Sequence, residues 1–335
     1  MKRITVIGAG SWGTALSVIA GRAGHQVRLW SRNAGVVDEI NRRRVNSAYL
    51  KSYVVPENVR ATNKLGEAVH GAEFVLLAAP SHVTRGLLMQ LLDCVEPQML
   101  FISATKGIEI ESGKRISEVV GEVFKEHFEP RFVCLSGPSF AQEVAAGQPT
   151  AIVAASRTED DGLLVQRELS FENLRVYTNT DVVGTEIGGA LKNVMAVAAG
   201  MVAGLGLGAN SVAALITRGL AEMARFALAQ GARSETLMGL AGLGDLVLTC
   251  TGGLSRNRHV GHELGRGRKL EEIVKGMREV AEGVKTTMAV KLLADKFSIE
   301  MPITNEVYDV LYQGKSAADA ASELMTRPLR GEFER

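Results

Sequence analysis

The stretch Arg3-Ile4-Thr5-Val6-Ile7-Gly8-Ala9-Gly10-Ser11-Trp12-Gly13-Thr14-Ala15-Leu16 decides how the chain begins to fold. A run of strand character passes directly into G-x-G-x-x-G, and Ala15, Leu16, Ile19 and Ala23 then recur at helical spacing. In a strand–turn–helix unit each glycine has a physical task. Gly8 permits the tight turn, Gly10 lets the backbone approach a pyrophosphate without a Cβ clash, and Gly13 allows helix and strand to pack closely. The helix start then offers its free N–H groups to the phosphates. This context, more than the glycines alone, predicts a dinucleotide site.

Working outward, the runs 26–30, 74–79, 99–103 and 132–136 read as strands, several of them apolar throughout as strands covered on both faces should be. Between them Val83, Leu87, Leu88 and Leu91, then Ile116, Val119, Val120 and Phe124, keep helical period. That alternation predicts an α/β fold with a doubly wound parallel sheet. Two more candidate strands, 150–155 and 174–177, flank the helical stretch 159–169 and extend the same sheet. From about Thr185 the strand signal fades, and helices are expected at 186–201, 211–229, 270–273, 286–294 and 305–312. The expected division is a dinucleotide-binding domain over 1–184 and an all-α domain over 185–335, closely docked, with the ligand site in the cleft between them.

The 335 residues are 46% hydrophobic and 22% charged, enough apolar material for two cores and incompatible with a disordered chain. Thirty-eight basic against thirty-seven acidic side chains leave a net charge of +1, so no overall field draws in nucleic acid or an anionic membrane. Cys94, Cys134 and Cys250 are too few and too scattered for a disulfide framework, which fits a reducing, cytoplasmic setting. Residues 4–7 run into glycines too soon to form a signal core. No charge occurs between Lys192 and Arg218, a length that raises the question of a membrane span. Gly200, Gly204, Gly206, Gly208, Asn210 and Ser211 interrupt it, so the expectation is two buried helices joined by a glycine turn and no span. These helices fit internal packing or a homodimer surface equally well.

The second strand ends Leu29-Trp30-Ser31-Arg32-Asn33, without the carboxylate that usually accepts from the 2′-hydroxyl of NAD. Arg32 suits a 2′-phosphate instead, which favours NADP(H) and leaves NAD(H) open. For the chemistry, Lys106 follows an apolar strand and stands at the carboxyl edge of the sheet, where ligands bind. Lys192 lies inside the small-residue helix Gly188-Gly189-Ala190-Leu191-Lys192-Asn193-Val194, where an amine must find a partner or give up its proton easily. Asp245 follows Gly239, Gly242 and Gly244, either as a loop carboxylate bound to amides or as the partner of Lys192. Ser255-Arg256-Asn257-Arg258 offers phosphate-binding groups at a helix start, although taken alone a solvated basic turn is the preferred reading. His259 and His262 lack a third ligand beyond Glu263, so no metal is expected. His82, at a strand end, is a rival base whose expected role is to shape the cofactor loop.

Taken together these residues resemble the bacterial NAD(P)-dependent glycerol-3-phosphate dehydrogenase family. The match runs through Gly8 to Leu16, Gly137-Pro138-Ser139-Phe140-Ala141-Gln142-Glu143, Gly189 to Asn193, Gly242 to Asp245, Ser255 to Asn257, and Glu282-Gly283, in family order. The resemblance implies a Rossmann-type first domain and reversible hydride transfer between NAD(P)H and dihydroxyacetone phosphate, yielding sn-glycerol 3-phosphate for phospholipid synthesis. It also implies that Ser11, Trp12, Arg32, Lys106, Ala141, Arg256, Val280 and Glu282 contact the cofactor. Lys106, Gly137, Ser139, Lys192, Asp245, Ser255, Arg256 and Asn257 would surround the substrate, with Lys192 as general acid and base, Lys106 polarising the carbonyl and Asp245 holding Lys192. Tyr49 and Asn33 are looser candidates at the adenosine end. The rivals are a lysine-using reductase of a carboxylate substrate, of ketopantoate-reductase or β-hydroxyacid-dehydrogenase type, and a regulator that senses NADP(H) without turning it over.

Overall fold

Eight strands, β1 (Arg3–Ile7), β2 (Gln26–Trp30), β3 (Val59–Thr62), β4 (Phe74–Leu77), β5 (Leu100–Ser103), β6 (Arg131–Ser136), β7 (Thr150–Ala155) and β8 (Leu174–Asn179), form one sheet in the order β3-β2-β1-β4-β5-β6-β7-β8. The computed structural model describes residues 1–277, 281–329 and 331–332. Val280 lies outside the described residues. Strand order reverses between β1 and β4, the switch point at which open α/β sheets bind ligands beyond their strand ends. The expected doubly wound sheet is present, with two differences. β3 escaped the sequence reading because it is a four-residue edge strand whose Arg60 faces solvent. β6 and β7 pair antiparallel, whereas every other neighbouring pair is parallel. The link between them, residues 137–149, therefore never crosses the sheet and stays at the carboxyl edge.

One sheet face buries Ile4, Val6, Val27 and Leu29 against the helix Ser11–Arg22. The other buries Ile7, Val75, Leu77 and Phe101 under the helices Ser81–Met89 and Ile116–Phe124. A separate core forms around the helix Val182–Gly204, whose residues 187–201 are all buried. That helix is long and apolar enough to cross a membrane, but it is mostly buried inside the protein. It is apolar on every side because helices surround it.

The glycines within it do not break it, contrary to expectation. A Cβ on Gly200 would stand 2.1 Å from Arg258 O, and one on Gly204 would stand 2.2 Å from His262 O. From the facing helix, Arg256–Gly265, a Cβ on Gly261 would stand 1.9 Å from Val197 O. These glycines let two backbones cross in contact. The turn comes later, at 205–208, where Gly206 takes a positive φ of 73°. The next helix, Ala209–Ala229, buries one face through Gly219, Met223 and Phe226 and leaves Leu228 exposed, so only the first of the two is buried all round.

Candidate active site

The glycine loop behaves as its sequence requires. Gly8 has φ +118°, and a Cβ there would meet the Ala78 carbonyl at 2.9 Å. A Cβ on Gly13 would fall 1.8 Å from Gly8 O, whereas one on Gly10 would meet nothing within 4 Å. The loop is thus closed around Gly8 and Gly13 and open at Gly10. Ser11 starts the helix and its Oγ donates to Tyr49 O at 2.7 Å. The Trp12 indole Nε1–H is buried with no hydrogen-bond partner among the described residues, a donor left over beside the open loop. These features, an open glycine at a helix start and an unsatisfied donor, fit a dinucleotide phosphate bridge. Arg32 is exposed just past β2, and Asn33 caps the helix Ala34–Arg43 by accepting from Gly35 N at 2.9 Å.

Three loops and one helix meet at the carboxyl edge. Lys106 follows β5, Gly137 and Ser139 follow β6, and Asp245 and Lys192 come from the helical half. Asp245, completely buried, accepts from Lys192 Nζ at 2.5 Å through Oδ1 and from Lys106 Nζ at 2.7 Å through Oδ2. Lys106 Nζ also donates to Gly137 O at 2.9 Å and stands 3.5 Å from Ser139 Oγ. Asp245 is therefore a partner to both amines; the amide-bound alternative is not what the fold forms. The sequence did not suggest its contact with Lys106.

Small residues make this convergence possible. A Cβ on Gly188 would lie 2.5 Å from Ala241 O, and one on Gly189 would lie 2.8 Å from Ser136 Oγ, so larger residues would hold the helical turn Leu240–Gly244 and the end of β6 off the helix that carries Lys192. Asn193 donates to Lys106 O at 3.1 Å and accepts from Asn257 Nδ2 at 2.9 Å, while Asn257 Oδ1 accepts from Gly283 N at 2.9 Å. This chain of amides joins the lysine helix to both flanking segments. Thr249 was missed in the sequence. Its hydroxyl donates to Asp245 O at 2.6 Å and accepts from Lys192 Nζ at 3.0 Å. The four-residue spacing from Asp245, one helical turn, was the available signal.

The electrostatics follow from burial and from two cations sharing one anion. Burial pulls Lys192 down from 10.5 to about 8, with Asp245 opposing and Lys106 adding to the fall. Burial opposes ionisation of Asp245, but the two ammoniums outweigh it and hold the carboxyl below its usual range. Two lysines on one carboxylate leave a net positive charge suited to an anionic substrate. Glu282 is pushed up to about 7 by burial, against the pull of Arg256.

Other expected residues are placed as follows. Ser255 Oγ caps its helix by accepting from Arg258 N at 3.2 Å, and Arg256 is exposed beside it. Ala141 begins the short helix Ala141–Ala145 in the link after β6. His82 is the second residue of the helix Ser81–Met89 after β4, and burial with the nearby Lys285 and Arg32 charges lowers its titration. His262 pairs with Glu263 at 3.2 Å, and among the described residues no group of His, Cys, Asp or Glu is placed to hold a metal.

The comparisons with known proteins agree over the whole chain. Residues 3–161 match the NAD-dependent glycerol-3-phosphate dehydrogenase N-terminus, and residues 181–322 match the C-terminus of the same family. A glycerol-3-phosphate dehydrogenase [NAD(P)+] of Koribacter versatilis is 57% identical over 330 residues, covering 98% of both chains. One from Geobacter sulfurreducens is 52% identical over 331 residues, covering 99% of both. The crystal structure of glycerol-3-phosphate dehydrogenase from Coxiella burnetii superimposes with a TM-score of 0.93 at 39% identity, over 97% of this chain and 99% of that one. With its glycine loop and its lysine–aspartate–lysine cluster set in the same frame from end to end, the chain belongs to the NAD(P)-dependent glycerol-3-phosphate dehydrogenase family.

Proposed function

We propose that the protein reduces dihydroxyacetone phosphate to sn-glycerol 3-phosphate with a reduced nicotinamide dinucleotide, reversibly, as a cytoplasmic enzyme supplying glycerophospholipid synthesis. The observation that carries this reading is the cluster of Lys106, Asp245 and Lys192, where the sheet's carboxyl edge meets the helical half. The glycine loop within 1–184 holds the cofactor, 185–335 supply Lys192 and the substrate side, and the helix Val182–Gly204 bridges the two. Gly8, Gly10, Ser11, Trp12 and Gly13 cradle the dinucleotide, with Arg32, Ala141, Arg256, Val280 and Glu282 along its length. The bound cofactor supplies the hydride.

The chain's own groups do the rest. Protonated Lys192 donates to the carbonyl oxygen as the alcohol forms, and the neutral amine takes the proton back in the reverse direction. A value near 8 lets the same amine serve both directions near neutrality. Lys106 polarises the carbonyl, and Asp245 fixes both amines so that neither turns away. Ser139, with the Gly137 backbone beside it, and Ser255, Arg256 and Asn257 hold the remote phosphate, which positions the reacting carbon. The exposed Arg32 and the lack of an acid at the end of β2 favour NADP(H) over NAD(H). The exposed face of the helix Ala209–Ala229 is proposed to contribute a homodimer surface.

The test is loss of reduced-nicotinamide absorbance with dihydroxyacetone phosphate, run with NADPH and NADH in parallel and against ketopantoate. Turnover with the phosphotriose and not the keto acid is expected. Turnover of the keto acid alone would refute the reading, and cofactor binding without any oxidation would favour a sensing role.

A further inference from the structure

A second, unrelated cluster of cations lies on the opposite half of the nucleotide domain. The sheet face that is covered by helices at β4 and β5, and by the short helix Leu65–Val69 over buried Thr5 and Ile7, is left open only at the amino end of β1 to β3, where a cleft of about 350 Å³ is lined by Arg3, Gln26, Arg28, Asn58, Arg60 and His70. The register sets the charges side by side. Arg28 on β2 is aligned with Arg60 on β3, and Arg3 on β1 stands one row toward the amino edge, aligned with Gln26. All three arginines are exposed, and neighbouring strands are only about 4.8 Å apart. Like charges so placed repel one another, and no carboxylate lines the cleft to offset them. Beside its rim, Glu73 accepts from Lys2 Nζ at 2.8 Å and from the Arg3 backbone N–H at 3.0 Å, and its charge is shared between Lys2 and Arg3.

The middle arginine is held in place. Arg28 Nη1 donates to His70 O at 2.6 Å and to Glu67 O at 3.1 Å, the carbonyls that end the short helix Leu65–Val69. Its Nε and Nη2, and the guanidiniums of Arg3 and Arg60, donate to no acceptor among the described residues. The result is a fixed fork flanked by two adjustable ones, a donor set that matches the several oxygens of a phosphate chain. A volume near 350 Å³ lies within the range of small-molecule sites, which run from about 300 to 1,000 Å³. The cleft lies on the amino half of β1 to β3, whereas Lys106, Gly137 and the glycine loop all lie at the carboxyl edge.

From this juxtaposition we infer that Arg3, Arg28 and Arg60 form a binding site for a diphosphate group, separate from the catalytic cleft. Inorganic pyrophosphate and a nucleoside diphosphate share this chemistry.

The experiment is calorimetric titration of the full chain with inorganic pyrophosphate and, separately, with ADP, at about 0.15 M salt so that loose surface attraction is screened. The wild type is compared with the double variant Arg3→Ser/Arg60→Ser and with Arg256→Ala. Arg28 is left in place because it closes the Leu65–Val69 helix. The double variant should lose affinity about tenfold or more, the scale of losing charge-assisted bonds, while keeping wild-type turnover and melting temperature. Arg256→Ala should leave the same binding event intact. Only binding that the double variant loses is scored, because ADP also fits the glycine loop: a lost event tighter for ADP would identify a nucleotide as the source, and one equal or tighter for pyrophosphate the inorganic ion; either supports the site. No binding at this salt, equal binding to the double variant, or loss of binding in Arg256→Ala would overturn it. Failure of this site leaves the proposed activity untouched, because that is read from turnover alone.

Discussion

Replacing Asp245 with asparagine keeps the shape of the cluster and removes its only negative charge. Both amines lie within hydrogen-bond distance of that carboxylate, at 2.5 and 2.7 Å. An opposite charge so close moves a titration by about one to three pH units, worth 1.4 kcal/mol each. In the native protein, with Lys192 near 8, about nine-tenths of that amine is protonated at pH 7. Without Asp245 it should titrate at roughly 5 to 7, so that near the middle of that range only about one-tenth remains protonated at neutrality. Reduction needs the protonated form, and kcat at pH 7 should therefore fall by about tenfold from this cause alone.

The distinguishing signature is direction. In the native enzyme reduction should decline as pH rises through about 8, and oxidation of the alcohol should rise over the same interval. In Asp245→Asn the reductive decline should move to lower pH, so part of the lost rate returns on acidification. Two buried ammoniums without a counter-charge would cost about 3 to 5 kcal/mol of stability if neither could neutralise itself. Lys192 releases its proton readily, so the loss measured by denaturant titration at pH 7 should be smaller. A reductive pH profile for Asp245→Asn that overlays the native one would refute the assignment of Lys192 as the acid held by Asp245.

Further outcomes follow from the same geometry. Lys192→Ala should retain NADPH affinity by fluorescence titration and lose several orders of magnitude in kcat, and near-normal kcat would remove it from the chemistry. Arg32→Ala should raise KM for NADPH by about tenfold or more while leaving KM for NADH nearly unchanged, as expected when a charge-assisted phosphate contact is lost; parallel changes would mean Arg32 does not read the 2′-phosphate. Gly261→Ala places a methyl group 1.9 Å from Val197 O and must force the two central helices apart. A loss of about 1 to 3 kcal/mol or more in denaturant titration is expected, as for overpacking, and native stability would show that the crossing tolerates bulk.

Much of this protein was decided by residues close together in sequence. The first strand, glycine loop and helix are legible because their instructions are local: a short run of β-branched residues, a turn that needs Gly8, a contact that needs Gly13. The alternation of strands and helices, and the all-apolar helix that bears Lys192, could be read for the same reason. β3 could not, since four residues at a sheet edge, half of them polar or charged, carry too little pattern. The direction of β7 and the role of Gly200 and Gly204 were also hidden, because each depends on a partner elsewhere in the chain. Only tertiary structure brought Asp245 between Lys106 and Lys192, residues separated by 139 and 53 positions from it. The physical reason is that a pattern records which face of an element is apolar, whereas the distance between two charged atoms depends on how the backbones pack. Here that packing rests on Gly188 and Gly189, small enough for the turn Leu240–Gly244 and the end of β6 to close on one helix.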